Sequence, residues 1–351
     1  MARMRIQDIA AEAAVSPSTV SKFINGHYDA MSASTRSRIA EIIERTGYRP
    51  SSVARNLRLD RSRMIGVILA DIRNPYSSAM LGELADRSAA AGYTLTCAIS
   101  GNNPSKEAEA VMRLAEAGAD GLIVNTCGGN DELLADTCDR APVVLLDRDV
   151  PGASIDLVTS DNGCLVAALL QEVMRDGVDA CWLLDEHNDA SSVRRERTAT
   201  FERGLRSACA RGGCIALARN ACAAAAQLTK MSCSSGGSPI GLIAINGLVF
   251  ERLVEALAVA GIDVPGAARI ATIDEYPWNR VLFGGVTTAA QDIAGLAAAA
   301  LELLIERIER GRGPCGSRRR IEIPGNIIAR RSTRTDSGPT TTTPQPLRAH
   351  R

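Results

Sequence analysis

The feature that most constrains this chain is an alternation that begins at Met64. MIGVILADI is a continuous apolar run, followed by a helical stretch (78–91), TLTCAIS, a helix over 105–117 and GLIVNT. PVVLLD, LVTSD, a helix over 163–175, ACWLLDE, a helix over 196–211, CIALAR, a helix near 221–230 and IGLIAING continue it. A helix over 248–260, RIATIDE, a helix over 293–310 and IEIPGNIIARR close it. Strands that are apolar along their whole length are buried on both faces, which calls for parallel pairing with helices above and below. About ten such strands exceed what one open sheet ordinarily holds, so the pattern predicts two α/β lobes.

In open α/β lobes, ligands sit at the carboxyl ends of the strands. The polar residues at those ends are therefore the candidate contacts. They are Asp71, Asn74 and Tyr76 after the first strand, Asn125 after GLIV, Asp147 and Arg148 after PVVLL, and Asp161 after LVTS. Asn246 and Asp274 end two later strands, and Arg194, Arg195 and Arg197 precede a helix. Hydrogen-bonding groups of this kind suit the hydroxyls of a small polar ligand.

The first fifty residues are organised differently. Ile6, Ile9, Ala10 and Ala13 form a stripe at helical spacing. Ser16-Pro17 then reads as a helix start. The serine caps, and proline at the first helical position lacks an N–H that would be unpaired anyway. A third helix begins near Ser32, carries Ile39, Ile42 and Ile43 on its inner face, and stops at Gly47. On the second helix, Val20 and Ile24 point inward, while Ser18, Ser21, Lys22 and Asn25 face out. Residues 1–63 hold eleven Arg or Lys against six acids, although the whole chain is balanced at 40 of each. A basic helical end on a neutral chain fits a nucleic-acid-binding module.

The remaining features mainly exclude. The ten cysteines contain no Cys-x-x-Cys pair, and Cys97, Cys127, Cys164, Cys181 and Cys214 lie in or beside apolar runs. They read as small buried hydrophobes rather than disulfides or metal ligands, so no metal is expected. The three histidines form no Ser/His/Asp pattern, and there is no Walker loop. GRGPCG at 311–316 follows a helix and contains Pro314, so it is a loop and not a dinucleotide site. No enzyme activity and no cofactor are expected. The N-terminus lacks the apolar core of a signal peptide, and no apolar run reaches the ~18 residues of a membrane span. The expected location is cytoplasmic and nucleoid-associated. The rival is a periplasmic-type sugar-binding protein without a regulatory role, which would need a signal peptide and no basic helical head. The Thr/Pro-rich tail, 334–351, reads as disordered.

The order is thus an N-terminal all-α helix-turn-helix domain (1–50), a basic hinge (51–63) and a two-lobed α/β core (64–333). IQDIAAEAAVSPSTVSKFING, STRSRIAEIIERTGYRP, SSVARNL, IGVILADIRNPY, GADGLIV, DLVTSDN, RRERTATF, AING, ARIATIDE and VTTAAQ carry a resemblance to the lactose-repressor (LacI/GalR) family of bacterial transcription regulators. The resemblance spans about residues 5–333. It implies a periplasmic-binding-protein-like core, double-stranded operator DNA as partner, and a small sugar effector bound between the lobes. It places the two main base-reading positions at Pro17 and Ser18, with Thr19, Ser21, Lys22 and Asn25 nearby. Lysine at 22 stands where the family usually has arginine, so the bidentate fork is lost. NGHYDAMS is about one residue longer than the common form, and Arg5 replaces a common capping threonine.

The resemblance further implies that Val53, Ala54, Arg55 and Leu57 belong to a hinge helix that orders on DNA, with Leu57 wedged into a base step. It implies effector contacts from Arg197, Asn246 and Asp274. YDAMS, DLVTSDN, ING and EYPWN look like the branch that answers to sugar acids such as 2-keto-3-deoxygluconate, and three nearby arginines would suit a carboxylate. A reader of palindromic DNA needs a two-fold dimer. The tail carries no leucine heptad, so a homodimer is expected.

Overall fold

The computed structural model describes residues 4–24, 26–48, 61–150, 152–175, 177–186, 191–311 and 318–334. It divides into two compact units, Met1–Arg63 and Met64–Arg351.

In the first unit, α1 (Ile6–Glu12), α2 (Pro17–Ile24) and α3 (Ala33–Thr46) enclose a small core of Ile9, Ala10, Ala13, Val20, Ile39 and Ile42. Each helix start has a local cause. Arginine has no acceptor to offer, so at α1 only the reverse arm of a cap forms: the Arg5 backbone N–H donates to Asp8 Oδ2 at 2.7 Å. At α2, Ser16 Oγ accepts from the Thr19 N–H at 3.2 Å, and Pro17 takes the first position. Ser32 caps α3 through the Thr35 N–H at 3.3 Å, and Gly47 ends it at φ 59°. The lengthened turn folds as a short 3-10 segment, Tyr28–Ala30. There the Tyr28 ring meets Phe23 edge-on at 5.6 Å and lies under the Arg36 guanidinium at 4.8 Å.

The second unit holds two six-stranded sheets. The first contains β1 (Met64–Leu69), β2 (Thr94–Ile99), β3 (Gly121–Val124), β4 (Val143–Leu146), β5 (Asp156–Ser160) and β11 (Arg320–Ile323), in the order β11-β5-β4-β3-β1-β2. The second contains β6 (Ala180–Asp185), β7 (Arg211–Ala216), β8 (Ile240–Ala244), β9 (Ala268–Ile273), β10 (Thr287–Ala290) and β12 (Asn326–Ile328), in the order β12-β10-β9-β8-β6-β7. All pairings are parallel except β10 with β12. The helices are α4 (Pro75–Ala90), α5 (Pro104–Glu116), α6 (Asp131–Thr137), α7 (Asn162–Val173), α8 (Ser192–Ser207), α9 (Ala221–Cys233), α10 (Gly247–Ala260) and α11 (Ile293–Arg310). β1, β3, β4, β5, β8 and β9 are buried almost throughout, as expected for strands covered on both faces.

The chain passes between the lobes three times: between β5 and α7, between β10 and α11, and between β11 and β12. The passages are tied to one another. The Ser160 hydroxyl donates to Gln291 Oε1 at 2.6 Å, and the Asp161 N–H donates to Ile323 O at 3.0 Å.

Several expectations change. IEIPGNIIARR is not one strand but two, in different sheets. Pro324 has no N–H for a ladder, and a Cβ on Gly325 would come 2.5 Å from Ala290 O. α4 starts at Pro75 rather than 78, because Asn74 caps it through the Tyr76 N–H at 3.2 Å. α8 runs over Ser192–Ser207, four residues earlier than expected, since its polar first turn concealed its start. α6 and β10 were not anticipated as elements. The cysteines are not uniformly buried. Cys127 and Cys181 are, whereas Cys97 and Cys164 are exposed, on an edge strand and on the first turn of α7. None of the nine described cysteines forms a disulfide. The hinge-helix residues Val53, Ala54, Arg55 and Leu57, the recognition candidate Asn25 and the tail from 335 lie outside the described residues.

Candidate functional site

The outward face of the first unit is set by the inward one. Burying Val20 leaves Pro17, Ser18 and Lys22 exposed, with Thr19 and Ser21 half-buried. The Ser18 and Thr19 hydroxyls lie 2.7 and 2.9 Å from Ser16 Oγ, so both belong to the cap of α2. Lys22 is left as the free cation of this face among the described positions 17–22, and it is a point charge rather than a fork.

In the second unit, the carboxyl ends of β1, β3 and β4 in one lobe and of β8 and β9 in the other carry most of the candidates. Asp71 is engaged: it accepts from Arg73 N, Nε and Nη2 at 3.0, 3.0 and 2.7 Å. That pairing holds its carboxyl below the usual range. Asn125 donates to Leu146 O at 3.0 Å and to Asp147 Oδ2 at 3.4 Å. Asp147 has φ 68°, a region a non-glycine residue rarely occupies. Its Oδ1 is shielded from solvent and has no hydrogen-bond partner, and the Tyr76 hydroxyl shares this condition. Burial pushes the Asp147 carboxyl up, and the Arg197 and Arg148 charges oppose it. Burial raises the Tyr76 phenol, and the Asp147 and Asp274 charges add to that while the Arg197 and Arg148 charges oppose it. The two unpartnered oxygens therefore share one neighbourhood, into which both lobes project.

Arg148 is fixed by Asn102 Oδ1 and Thr126 O, each at 3.1 Å, and burial lowers its basicity. From the other lobe, Arg197 is 5% exposed and donates to Asn162 Oδ1 at 2.7 Å and to Ile245 O at 2.9 Å. Asn246 caps α10 through the Val249 N–H at 2.9 Å. Asp274, at φ 84°, accepts from the Tyr276 hydroxyl at 3.0 Å and from Gln291 Nε2. Burial raises its carboxyl as well.

Other candidates are spent elsewhere. Asp161 caps α7 through the Cys164 N–H at 2.9 Å. Arg194 is bound by Asp185 and Glu186, and Arg195 is exposed. Of the three arginines expected near a carboxylate, Arg194 is thus ion-paired, Arg195 is exposed and Arg197 is buried, because residues on one helical turn point in different directions. Sequence reasoning missed Asn162, Gln291 and Tyr276. Gln291 sits in a passage between lobes, a place that only topology defines. Tyr276 stood in view within EYPWN. Among the described residues, no cluster of three or more His, Cys, Asp or Glu is placed to hold a metal ion, and no helix is long and apolar enough to cross a membrane.

Residues 5–51 match the model for bacterial regulatory proteins of the lacI family, and 170–333 match a periplasmic binding protein-like domain. The HTH-type transcriptional regulator PtxS of Pseudomonas plecoglossicida is 32% identical over 332 residues, covering 94% of this chain and 96% of the relative. The chain belongs to the LacI family. The HTH-type transcriptional regulator KdgR of Bacillus subtilis is 31% identical over 332 residues, 93% of this LacI-family chain and 97% of the relative. In architecture the chain is similar to the crystal structure of the lac repressor dimer bound to operator and the anti-inducer ONPF, with a TM-score of 0.80 at 20% identity over 95% of this chain and 99% of that one.

Proposed function

We propose that this LacI-family protein is a DNA-binding transcriptional regulator that acts as a homodimer on operator DNA. A small sugar or sugar-acid effector held between the two lobes sets its operator affinity. One observation carries the effector reading. Asp147 Oδ1 and Tyr76 Oη are buried and without partners, in a neighbourhood that Arg148 and Arg197 also face. Buried polar atoms are ordinarily satisfied, so atoms left open where two lobes meet are places for a ligand's hydroxyls. A ligand hydroxyl would donate to Asp147, and Tyr76 would donate to a second oxygen. Arg197 would take a carboxylate if the effector carries one, and Asn125 and Asn246 would border the site. Asp71 and Asp161, already paired and capping, would act by shaping it.

Regulation follows from differential affinity. An effector that binds one lobe arrangement better than another shifts the population toward it, by no more than that difference. On the DNA side, Pro17 and Ser18 have few directed contacts to offer and Lys22 contributes charge. Base reading by α2 is therefore modest. Specificity falls to Asn25 and the hinge positions Val53, Ala54, Arg55 and Leu57, to half-site spacing and to DNA deformability. The test combines two measurements. A gel-shift with the promoter beside the gene should give a dimer-sized complex, and calorimetry should detect either neutral hexoses or sugar acids. Failure to bind any promoter DNA at moderate salt would sink the regulator; DNA binding with no response to either ligand class would sink the effector.

A further inference from the structure

Gly247 opens α10 with no positive φ, so its backbone does not require glycine. Space does. A Cβ at this position would lie 2.8 Å from both Cε2 and Oη of Tyr276 and 3.0 Å from Cζ. The Tyr276 ring fills the volume a side chain would take. It is held at two points: it stacks on Trp278 with centroids 5.0 Å apart and an interplanar angle of 24°, and its hydroxyl donates to Asp274 Oδ2 at 3.0 Å. The residue is 4% exposed.

This placement makes the two lobes unequal. In the first lobe, Asp147 keeps an open oxygen. In the second, both Asp274 oxygens are taken by the chain itself, one by Tyr276 and the other by Gln291, which also accepts from Ser160. A bare buried carboxylate attracts hydroxyl donors and repels another carboxylate. A phenol that donates to it occupies its acceptor and weakens that repulsion, while Arg197, which donates to Ile245 O and Asn162, keeps its positive charge close by.

We infer that Tyr276, admitted by the missing side chain of Gly247, masks Asp274 and thereby makes the cleft selective for effectors that carry a carboxylate over neutral sugars. The inference rests on the reading of the cleft as the effector site. It assigns a specificity role to a residue that would touch the effector from the second lobe.

Two measurements on the full-length protein test it. The first is calorimetry with glucose, galactose, gluconate and 2-keto-3-deoxygluconate on wild type, Tyr276→Phe and Tyr276→Ser. Phenylalanine keeps the ring and removes the donor; serine uncovers the carboxylate more fully. Wild type should prefer an acid. Both variants should move the acid-to-neutral affinity ratio at least tenfold toward the neutral sugars. A variant that shifts every ligand by one common factor, or a wild type that takes only a neutral sugar, overturns the inference and leaves the effector reading standing. A wild type that takes none of the four counts against the effector reading instead. The second measurement needs no ligand. Gly247→Ala should lower the melting temperature in wild type, and should do so far less in the Tyr276→Ser background. An equal drop in both backgrounds overturns the pairing.

Discussion

Changing Tyr76 to Phe should move stability and binding in opposite directions. The ring is 6% exposed and stays in place, so the packing of Tyr76 in the first-lobe core is retained. Only the hydroxyl is lost, and that oxygen is buried without a partner. An unsatisfied buried polar group costs about 1–3 kcal/mol. The ligand-free Phe variant should therefore be more stable by roughly that amount. For a unit of this size that is a rise in melting temperature of about 2 °C per kcal/mol. In the proposed effector-bound state the hydroxyl would gain a partner, so the effect inverts. Loss of one neutral hydrogen bond is worth about 0.5–1.5 kcal/mol, and of one to a charged group about 1.5–3. Affinity should fall by about 2- to 12-fold for a neutral oxygen and by more for a carboxylate, at 1.4 kcal/mol per tenfold, and the gain of the ligand-free state adds to that loss. Scanning fluorimetry without ligand and calorimetry with it read the two quantities separately. A ligand-free variant that melts below wild type would show that the hydroxyl is already satisfied. Unchanged affinity would show that Tyr76 does not face the effector.

Asp147→Asn tests the same site through pH. The folded-state pKa of Asp147 is raised, so the folded protein holds this proton more tightly than the unfolded chain; its charged form destabilises at neutral pH, and that penalty fades as pH falls through the folded pKa. The Asn variant should melt above wild type near neutral pH, with the gap closing on acidification; a constant gap would rule out the titration of Asp147. The core of the first lobe depends on a buried ion pair, Arg307 Nε to Asp156 Oδ2 at 2.7 Å and Nη2 to Oδ1 at 3.0 Å, with the Arg319 N–H also on Asp156. Asp156→Ala removes the carboxylate that holds a buried guanidinium and should cost about 3–5 kcal/mol in denaturant unfolding, and a loss below about 1 would mean the arginine finds solvent or another acceptor. Lys22→Ala should weaken specific and non-specific DNA alike and reduce the log–log salt slope by about 1.8, about 0.9 for each of the two Lys22 side chains of a dimer; an unchanged slope with lost discrimination would make Lys22 a base reader.

Most of the architecture was legible in the sequence, because it rests on local and periodic signals. Ser16-Pro17, Ser32 and Gly47 bound helices through hydrogen bonds and φ values that neighbouring residues settle. Apolar strands imply parallel sheets because backbone pairing and two-sided burial leave no alternative. The errors came where the deciding partner is distant in sequence. Pro324-Gly325 divides one apolar run between two sheets because Ala290 O lies against the glycine. Arg194, Arg195 and Arg197 are near neighbours in the chain, yet one is paired with carboxylates, one is exposed and one is buried against Asn162 and Ile245.

What the sequence determined by itself, then, is the helical head, the two-lobed core and the strand-end residues from which a site could be built, since each follows from spacing within a few turns or strands. Which of those residues remain available was decided only by the tertiary structure. Asp71, Asp147, Asp161 and Asp274 look alike as strand-end carboxylates. Arg73, a helix N-terminus, and the pair Tyr276 and Gln291 occupy three of them, and the open oxygen of Asp147 is what remains. A hydrogen bond needs its partner within about 3 Å, and only the folded chain brings residues such as 274 and 291, or 160 and 291, that close.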